Sequence, residues 1–275
     1  PVAATATPPV GEVMAGEFAL QQGDLPAAAR HFLQAARASA DPAVAERATR
    51  IALVAEDARL ARAALARWRA LDPDAPGMHA ADVGLALGQG DQEDAMDAAR
   101  ALLALGDPGF EALVGGLSEA RGDAAIVARA VTRELFERSE LPPRMAHWLR
   151  WAGVARRLKD RPLSERIVEA GMARFPEDPR ARLLAIARQR EGGDLAGARL
   201  ALQALRDEGA IPPDLSRVAA GEFARQGDLR AAADLLGQGE QDDAALGQRA
   251  GWLVMAGDRA GLQLFYAELR AMGAV

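Results

Sequence analysis

Arginine side chains offer the clearest chemistry in this sequence. Residues 144 to 190 include 12 basic residues against 5 acidic ones, a local net charge of +7 within a total of −6. A guanidinium group can donate two parallel hydrogen bonds to one carboxylate, so clustered arginines predict binding of an acidic protein segment or of a peptide's terminal carboxylate. The alternative is that these arginines form an ordinary solvated helix surface.

Other reactive residue types are absent or lack the spacing that catalysis needs. The sequence has no Cys, which excludes thiolate metal sites, disulfides and a cysteine nucleophile. His31, His79 and His147 lack metal-ligand spacing, and no serine lies in a Gly-x-Ser-x-Gly turn. No phosphate-binding loop is present, since Gly115-Gly116 fits close packing inside a helix. We therefore expect a protein that is not an enzyme and needs no cofactor or metal.

Partner classes are narrowed by the same composition. The acidic overall charge and the low aromatic content, 4%, disfavour nucleic acid as a partner. The sequence contains no run of 18 apolar residues, so no membrane span is predicted. Trp148 and Trp151 lie three apart and share one face of a helix, so they could form an aromatic contact for a protein partner. Core packing is the alternative for both, and it is favoured for Trp148.

The elements that position these side chains follow from a repeat. The apolar half of the sequence is mainly Ala and Leu, which favours helix over strand. An Asp, usually after Gly, recurs about every 34 residues at Asp24, Asp57, Asp91, Asp123, Asp160, Asp194, Asp228 and Asp258. Gly can end one helix in the left-handed conformation and Asp can cap the next, so eight helix–turn–helix units are predicted. The predicted helices cover residues 11–22, 26–39, 43–55, 58–71, 76–89, 92–105, 109–121, 124–139, 144–158, 162–175, 180–191, 195–208, 213–226, 229–237, 243–256 and 259–272.

A near-duplication supports the repeat. The sequence Ala-Gly-Glu-Phe-Ala at residues 15–19, followed by Gln-Gly-Asp-Leu at residues 22–25, recurs at residues 220–224 and 226–229. The second part is displaced by 204 residues, which is six periods of 34.

The repeat units resemble the tetratricopeptide repeat. The first unit matches that family's pattern of small and large residues at Gly16, Gly23-Asp24, Ala28, Phe32 and Ala35. The resemblance implies an all-α fold, an α-solenoid of about eight repeats in a right-handed superhelix over residues 11–275, with protein binding on the concave face lined by the first helices. The register of the resemblance places all six candidate arginines near that face. The candidate protein-binding residues are Arg47, Arg50, Arg150, Trp151, Arg156, Arg157 and Arg190.

A finer resemblance concerns the N-terminal part. The segment from Asp41 to Leu53, with Leu71-Asp72-Pro73, is similar to the start of the tetratricopeptide outer-membrane lipoproteins of Gram-negative bacteria. That resemblance implies a non-catalytic periplasmic adaptor that tethers and activates a carboxyl-terminal processing serine protease and presents peptidoglycan hydrolases to it. Residues 1–10 would then be a flexible Pro/Thr/Ala tether, and the only membrane link would be a lipid anchor that this sequence lacks. A cytoplasmic assembly or chaperone adaptor is the alternative.

Overall fold

The computed structural model describes residues 10–271, and this part of the protein is built from helices without a strand. It divides into two compact units, one ending at Val168 and the other beginning at Glu169. The helices of the first unit are α1 (Val10–Gln21), α2 (Leu25–Ala38), α3 (Pro42–Val54), α4 (Ala58–Leu71), α5 (Pro76–Gln89), α6 (Gln92–Ala104), α7 (Asp107–Glu119), α8 (Ala124–Glu137), α9 (Met145–Arg157) and α10 (Arg161–Arg174), of which α10 runs into the second unit. The second unit continues with α11 (Pro179–Glu191), α12 (Leu195–Asp207), α13 (Ser216–Arg225), α14 (Leu229–Leu236), α15 (Asp243–Met255) and α16 (Arg259–Ala271).

The predicted helix pairs are confirmed. Each predicted boundary lies within three residues of the observed one, and a short 3₁₀ turn at Pro213–Leu215 accounts for the late start of α13. The predicted tether at residues 1–10 lies outside the described residues except for Val10, which begins α1. Within residues 10–271, no helix is long and apolar enough to cross a membrane.

Packing within the first unit follows the two-layer scheme of a helical repeat. From α1 to α9, consecutive helices pack against each other. The helices α3, α5, α7 and α9 also pack in succession as one layer, and α2 packs on α4 and α6 on α8 in the other. In the second unit, α11 packs on α12, α13 on α14 and α15 on α16, with α14 also packing on α15. The fold is therefore an all-α solenoid of tetratricopeptide-like helix pairs.

Aspartate caps begin most second helices, as predicted. Asp24, for example, accepts a hydrogen bond of 2.9 Å from the backbone N–H of Ala27, and the aspartates at 57, 91, 160, 194, 228 and 258 do the same three residues ahead. The prediction is wrong for Asp123, which makes no capping bond. Its backbone is already helical, with φ −67° and ψ −34°, whereas a cap needs an extended conformation to turn its carboxylate onto the next N–H groups.

Left-handed residues precede these caps. Gly23 has φ +76° and Gly227 has φ +87°, a region that is open to glycine without a steric penalty. Glu56 and Lys159 take the same conformation at the equivalent positions, with φ +54° and +63°. The turn geometry is thus kept even where the glycine of the motif is missing.

Alanine fills the seams between helices. Ala28, Ala45, Ala48, Ala61 and Ala64 are fully buried in one cluster that runs through α1 to α5. A small side chain lets two helix backbones approach closely, and the large side chains of the second helices fill the remaining space. This arrangement explains why a core can form with so few aromatic residues.

Gly16 illustrates that packing and supports a test. An added Cβ at Gly16 would lie 2.6 Å from the ring of Phe32, which is fully buried. We expect Gly16→Ala to lower the free energy of unfolding by about 1–3 kcal/mol, because the ring has no room to move. Urea denaturation measures the change.

The matched control is Gly84→Ala in the interior of α5, where an added Cβ meets nothing within 4 Å. Alanine there should stabilise the protein by up to about 1 kcal/mol, because glycine is the poorer helix former. Equal effects of the two substitutions would contradict the packing described here.

Candidate functional site

The helices α7 and α9 are held together by an aromatic contact at their buried side. The ring of Phe110 on α7 lies 4.3 Å from that of His147 and 6.0 Å from that of Trp151, centroid to centroid, both on α9. The indole Nε1 of Trp151 donates a 3.0 Å hydrogen bond to the carbonyl oxygen of Thr132 on α8. These contacts fix the rotation of α9 and so determine which of its arginines face outward.

A cleft of about 490 Å³ opens on the outward side of these helices. Its lining residues are Val114 and Ser118 of α7 and Arg150, Gly153, Val154, Arg156 and Arg157 of α9. We call it the α7/α9 cleft. Three of the seven predicted binding residues, Arg150, Arg156 and Arg157, therefore lie together.

Glycine shapes this cleft. The sequence predicted that Gly115 and Gly116 serve close packing, and that prediction is wrong. A Cβ added at Gly115, Gly116 or Gly153 would meet nothing within 4 Å, so these positions face open space. A mid-helix glycine costs about 1 kcal/mol relative to alanine. Of these three glycines, Gly153 lines the cleft, and its missing side chain leaves room on α9.

The charges in the α7/α9 cleft are only partly neutralised. Arg150 forms an ion pair with Glu111 of α7. Arg156 and Arg157 are exposed, and among residues 10–271 neither has an ion-pair or hydrogen-bond partner. Ser118 is only 7% exposed, lines the cleft, and its hydroxyl makes no hydrogen bond to the described residues. The cleft thus offers two free guanidinium groups and one free hydroxyl.

Trp151 is not part of this surface. Its side chain is fully buried, and the hydrogen bond to Thr132 satisfies its one donor. Trp148 is also buried, and its Nε1 donates to the carbonyl oxygen of Pro142 at 3.1 Å. Of the two alternatives for Trp151, core packing is correct, and Trp151 is therefore not a candidate binding residue.

The other predicted arginines are engaged elsewhere. Arg47 on α3 pairs with Glu17 of α1 and lies 5.1 Å from the ring centroid of Phe32, and Arg50 pairs with Glu46 on its own helix. None of these groups lines the α7/α9 cleft.

Arg190 belongs to the second unit. Its Nε donates a 2.6 Å hydrogen bond to a carboxylate oxygen of Glu222, whose side chain is nearly buried and also accepts from Arg225 at 2.8 Å. The hydrogen bond to Glu222 raises the pKa of Arg190 above its ordinary value. A buried carboxylate needs such partners, so Arg190 has a structural role.

The net charge of +7 on residues 144–190 is therefore less available to a partner than the sequence indicated. Carboxylates from outside residues 144–190 neutralise much of it through the pairs Arg144–Asp107, Arg150–Glu111, Arg166–Glu137, Arg180–Asp214, Arg182–Glu208 and Arg190–Glu222. The free positive charge of the α7/α9 cleft is concentrated at Arg156 and Arg157.

Two other observations bear on the chemistry. A second cleft, of about 540 Å³, lies beside α4, α5 and α6, but its arginines are already bound, Arg69 to Asp82 and Arg62 to Gln89. Within the described part of the protein, no three His, Asp or Glu side chains converge as a metal site would require.

Comparison with known proteins gives a likeness of architecture. No family model and no curated protein matches the sequence. Among solved structures, the chain is similar to a tetratricopeptide repeat protein from Parabacteroides merdae, at 15% identity and a TM-score of 0.39 over 89% of this chain and 98% of that one. It is also similar to the assembly chaperone of RpL4 (Acl4), at 14% identity, TM-score 0.35, 92% of this chain and 98% of that one. Yeast Tom70 gives 10% identity and a TM-score of 0.33 over 94% of this chain and 68% of that one.

Proposed function

We propose that this protein is a non-catalytic protein-binding scaffold whose α7/α9 cleft holds an acidic segment of a partner protein. The observation that carries the proposal is the pair of exposed arginines, Arg156 and Arg157, that no carboxylate of residues 10–271 neutralises. Arg150, on the same helix, already has an acidic partner in Glu111, so a binding partner would supply the carboxylates for the other two.

The chemistry of the cleft fits a carboxylate ligand. Each guanidinium can bind a carboxylate through two parallel hydrogen bonds, and the Ser118 hydroxyl can donate one further hydrogen bond. A volume of about 490 Å³ lies in the range of small-ligand sites, so the cleft would take a few residues of a peptide, either acidic side chains or a C-terminal carboxylate. Val114, which is partly exposed, supplies apolar contact in the same cleft.

For the identity of the partner we propose a carboxyl-terminal processing protease, with cell-wall hydrolases as clients, and a periplasmic location at the outer membrane through a lipid anchor. The support is the resemblance of the segment from Asp41 to Leu53 to outer-membrane tetratricopeptide lipoproteins. The scaffold would hold the protease and bring the client to it.

Co-purification tests this assignment. The tagged protein should retain a processing protease from a periplasmic extract of a Gram-negative bacterium, and the purified protease should degrade its client faster when the scaffold is added. Charge reversal at Arg156 and Arg157 should lower client retention. If the scaffold neither binds nor stimulates a processing protease, the assignment of this partner is wrong, while the scaffold role is tested separately with peptides.

A further inference from the structure

An uncharged apolar stripe lies on the exposed face of α1. Val10, Met14 and Phe18 are spaced four residues apart and are 58%, 63% and 61% exposed. The two acidic residues of this helix have partners outside the stripe: Glu12 accepts a 2.8 Å hydrogen bond from His31, and Glu17 pairs with Arg47. A helix that caps a solenoid usually presents a polar outer face, and the outer face of α1 is apolar.

The stripe can be placed in register with the later repeats. The backbone N–H of Asp24 bonds the carbonyl oxygen of Ala19 at 2.9 Å, and the capping aspartates at 57, 91, 160, 194, 228 and 258 bond back five residues in the same way. The residues that correspond to Phe18, six before each aspartate, are Ile51, Leu85, Val154, Arg188, Glu222 and Trp252. Four of these six are at least nine-tenths buried and Trp252 is partly buried, whereas Phe18 is exposed and shares this only with Arg188.

In the later repeats these positions face the preceding repeat. Glu222 binds Arg190 of α11, which is the first helix of the repeat before it. Arg150, which corresponds to Met14, pairs with Glu111 of α7, again the preceding first helix. Arg47 corresponds to Met14 and pairs with Glu17 of α1. Asp214 corresponds to Val10 and pairs with Arg180 of α11. In both cases the partner lies on the preceding first helix. The stripe is therefore the surface on which a preceding helix would pack.

A difference of one residue explains why the duplicated sequences behave differently. Between Phe and Gly-Asp, the first copy has one residue more than the second, so Phe18 is six residues before its aspartate and Phe223 only five. One residue rotates a helix position by about 100°. Phe223 therefore points into the core, at 3% exposed, while the identical motif turns Phe18 outward.

A free positive charge lies at the equivalent surface of α2. Arg30 follows its capping aspartate by six residues and has no partner among residues 10–271. At the same position in later repeats, Arg166 binds Glu137 of the preceding second helix at 3.3 Å, and Asp234 binds Arg206 at 3.5 Å. Arg30 is thus available to pair with a carboxylate of whatever covers the stripe.

We propose that Val10, Met14, Phe18 and Arg30 bind an amphipathic helix of a partner protein in the position of a preceding repeat. The partner helix would have an apolar face with side chains four residues apart and Asp or Glu beside that face. A second copy of this protein fits less well, because symmetric pairing would bring two unpaired Arg30 groups to the interface. Three side chains per copy also cover far less than the ~800 Å² per partner that stable dimers use.

Fluorescence anisotropy with two synthetic helical peptides tests this proposal, which does not depend on the α7/α9 cleft. Both peptides carry Leu at four-residue spacing, one with Glu and the other with Lys beside the apolar face. We expect the Glu peptide to bind about fivefold more tightly at low salt, because Arg30 is exposed and its attraction is screened by salt. Met14→Gln should weaken binding about tenfold through lost apolar contact. Arg30→Gln should remove the preference between the peptides.

Two control variants complete the test. Leu200→Gln removes an exposed apolar side chain of α12, 73% exposed against 63% for Met14, and should leave binding unchanged. Both peptides are also measured on the Arg156→Glu, Arg157→Glu variant, whose α7/α9 cleft cannot hold glutamates, and the effects of Met14→Gln and Arg30→Gln should persist in that background. The proposal is overturned if Met14→Gln does not weaken binding in that background. It is also overturned if sedimentation shows a wild-type dimer that Met14→Gln dissociates.

Discussion

Replacement of both Arg156 and Arg157 by Glu is expected to weaken binding of a Glu-rich peptide by roughly tenfold or more at low salt, because two attractive charges become repulsive. Both side chains are exposed and unpaired among the described residues, so the exchange breaks no contact that holds the fold. The circular dichroism spectrum should therefore be unchanged. Anisotropy of the labelled peptide over a series of salt concentrations gives the affinities, and the difference should shrink as salt rises.

The matched control for this variant reverses two other unpaired arginines. Arg59 on α4 and Arg188 on α11 are exposed and also lack an ion-pair partner among residues 10–271. Their replacement by Glu changes the net charge by the same amount but leaves the α7/α9 cleft intact. Equal losses of affinity in the two variants would mean that the peptide senses overall charge, and the cleft would lose its role.

Trp151→Ala is expected to lower the free energy of unfolding by about 3–5 kcal/mol, the largest stability effect predicted for this protein. The side chain is fully buried against α7 and α8, and its removal leaves a cavity and takes one hydrogen bond from the carbonyl oxygen of Thr132. Trp151→Phe should cost clearly less because the ring still fills most of the space. Urea denaturation monitored by circular dichroism measures both variants.

The alternative role for this tryptophan predicts a different pattern. If Trp151→Ala unfolded at the wild-type urea concentration but lost peptide binding, the side chain would be a contact for partners and its place in the core would be wrong. Loss of both stability and binding together is the result expected when α9 can no longer hold its arginines in place.

Local patterns in the sequence predicted the fold because each repeat carries its own signals. Gly and Asp define the turns, and a small residue opposite a large one, as at Gly16 and Phe32, defines the packing of each pair. The sequence did not reveal that Asp123 makes no capping hydrogen bond, because this depends on backbone angles that the residue type does not determine.

The candidate site was only partly predictable, because charge neutralisation depends on contacts between distant segments. Arg190 and Arg156 look alike in the sequence, yet Glu222 lies 32 residues beyond Arg190 and holds it, while Arg156 has no such partner within residues 10–271. Ser118 and Gly153 were missed for a related reason, since neither has a motif. The available signal was the mid-helix glycine at position 153, because such a glycine lowers helix stability and indicates either close packing or an open surface.

Photo-cross-linking of a Glu-rich peptide with mass-spectrometric mapping tests the central claim, that the α7/α9 cleft is the site where this scaffold holds an acidic partner. The peptide carries a photoreactive group next to its glutamates and is bound to the wild-type protein before irradiation. We expect cross-links on α7 and α9 near Val114 and Gly153, and their loss in the Arg156 and Arg157 double variant. Cross-links confined to other helices, or unchanged in that variant, would contradict it.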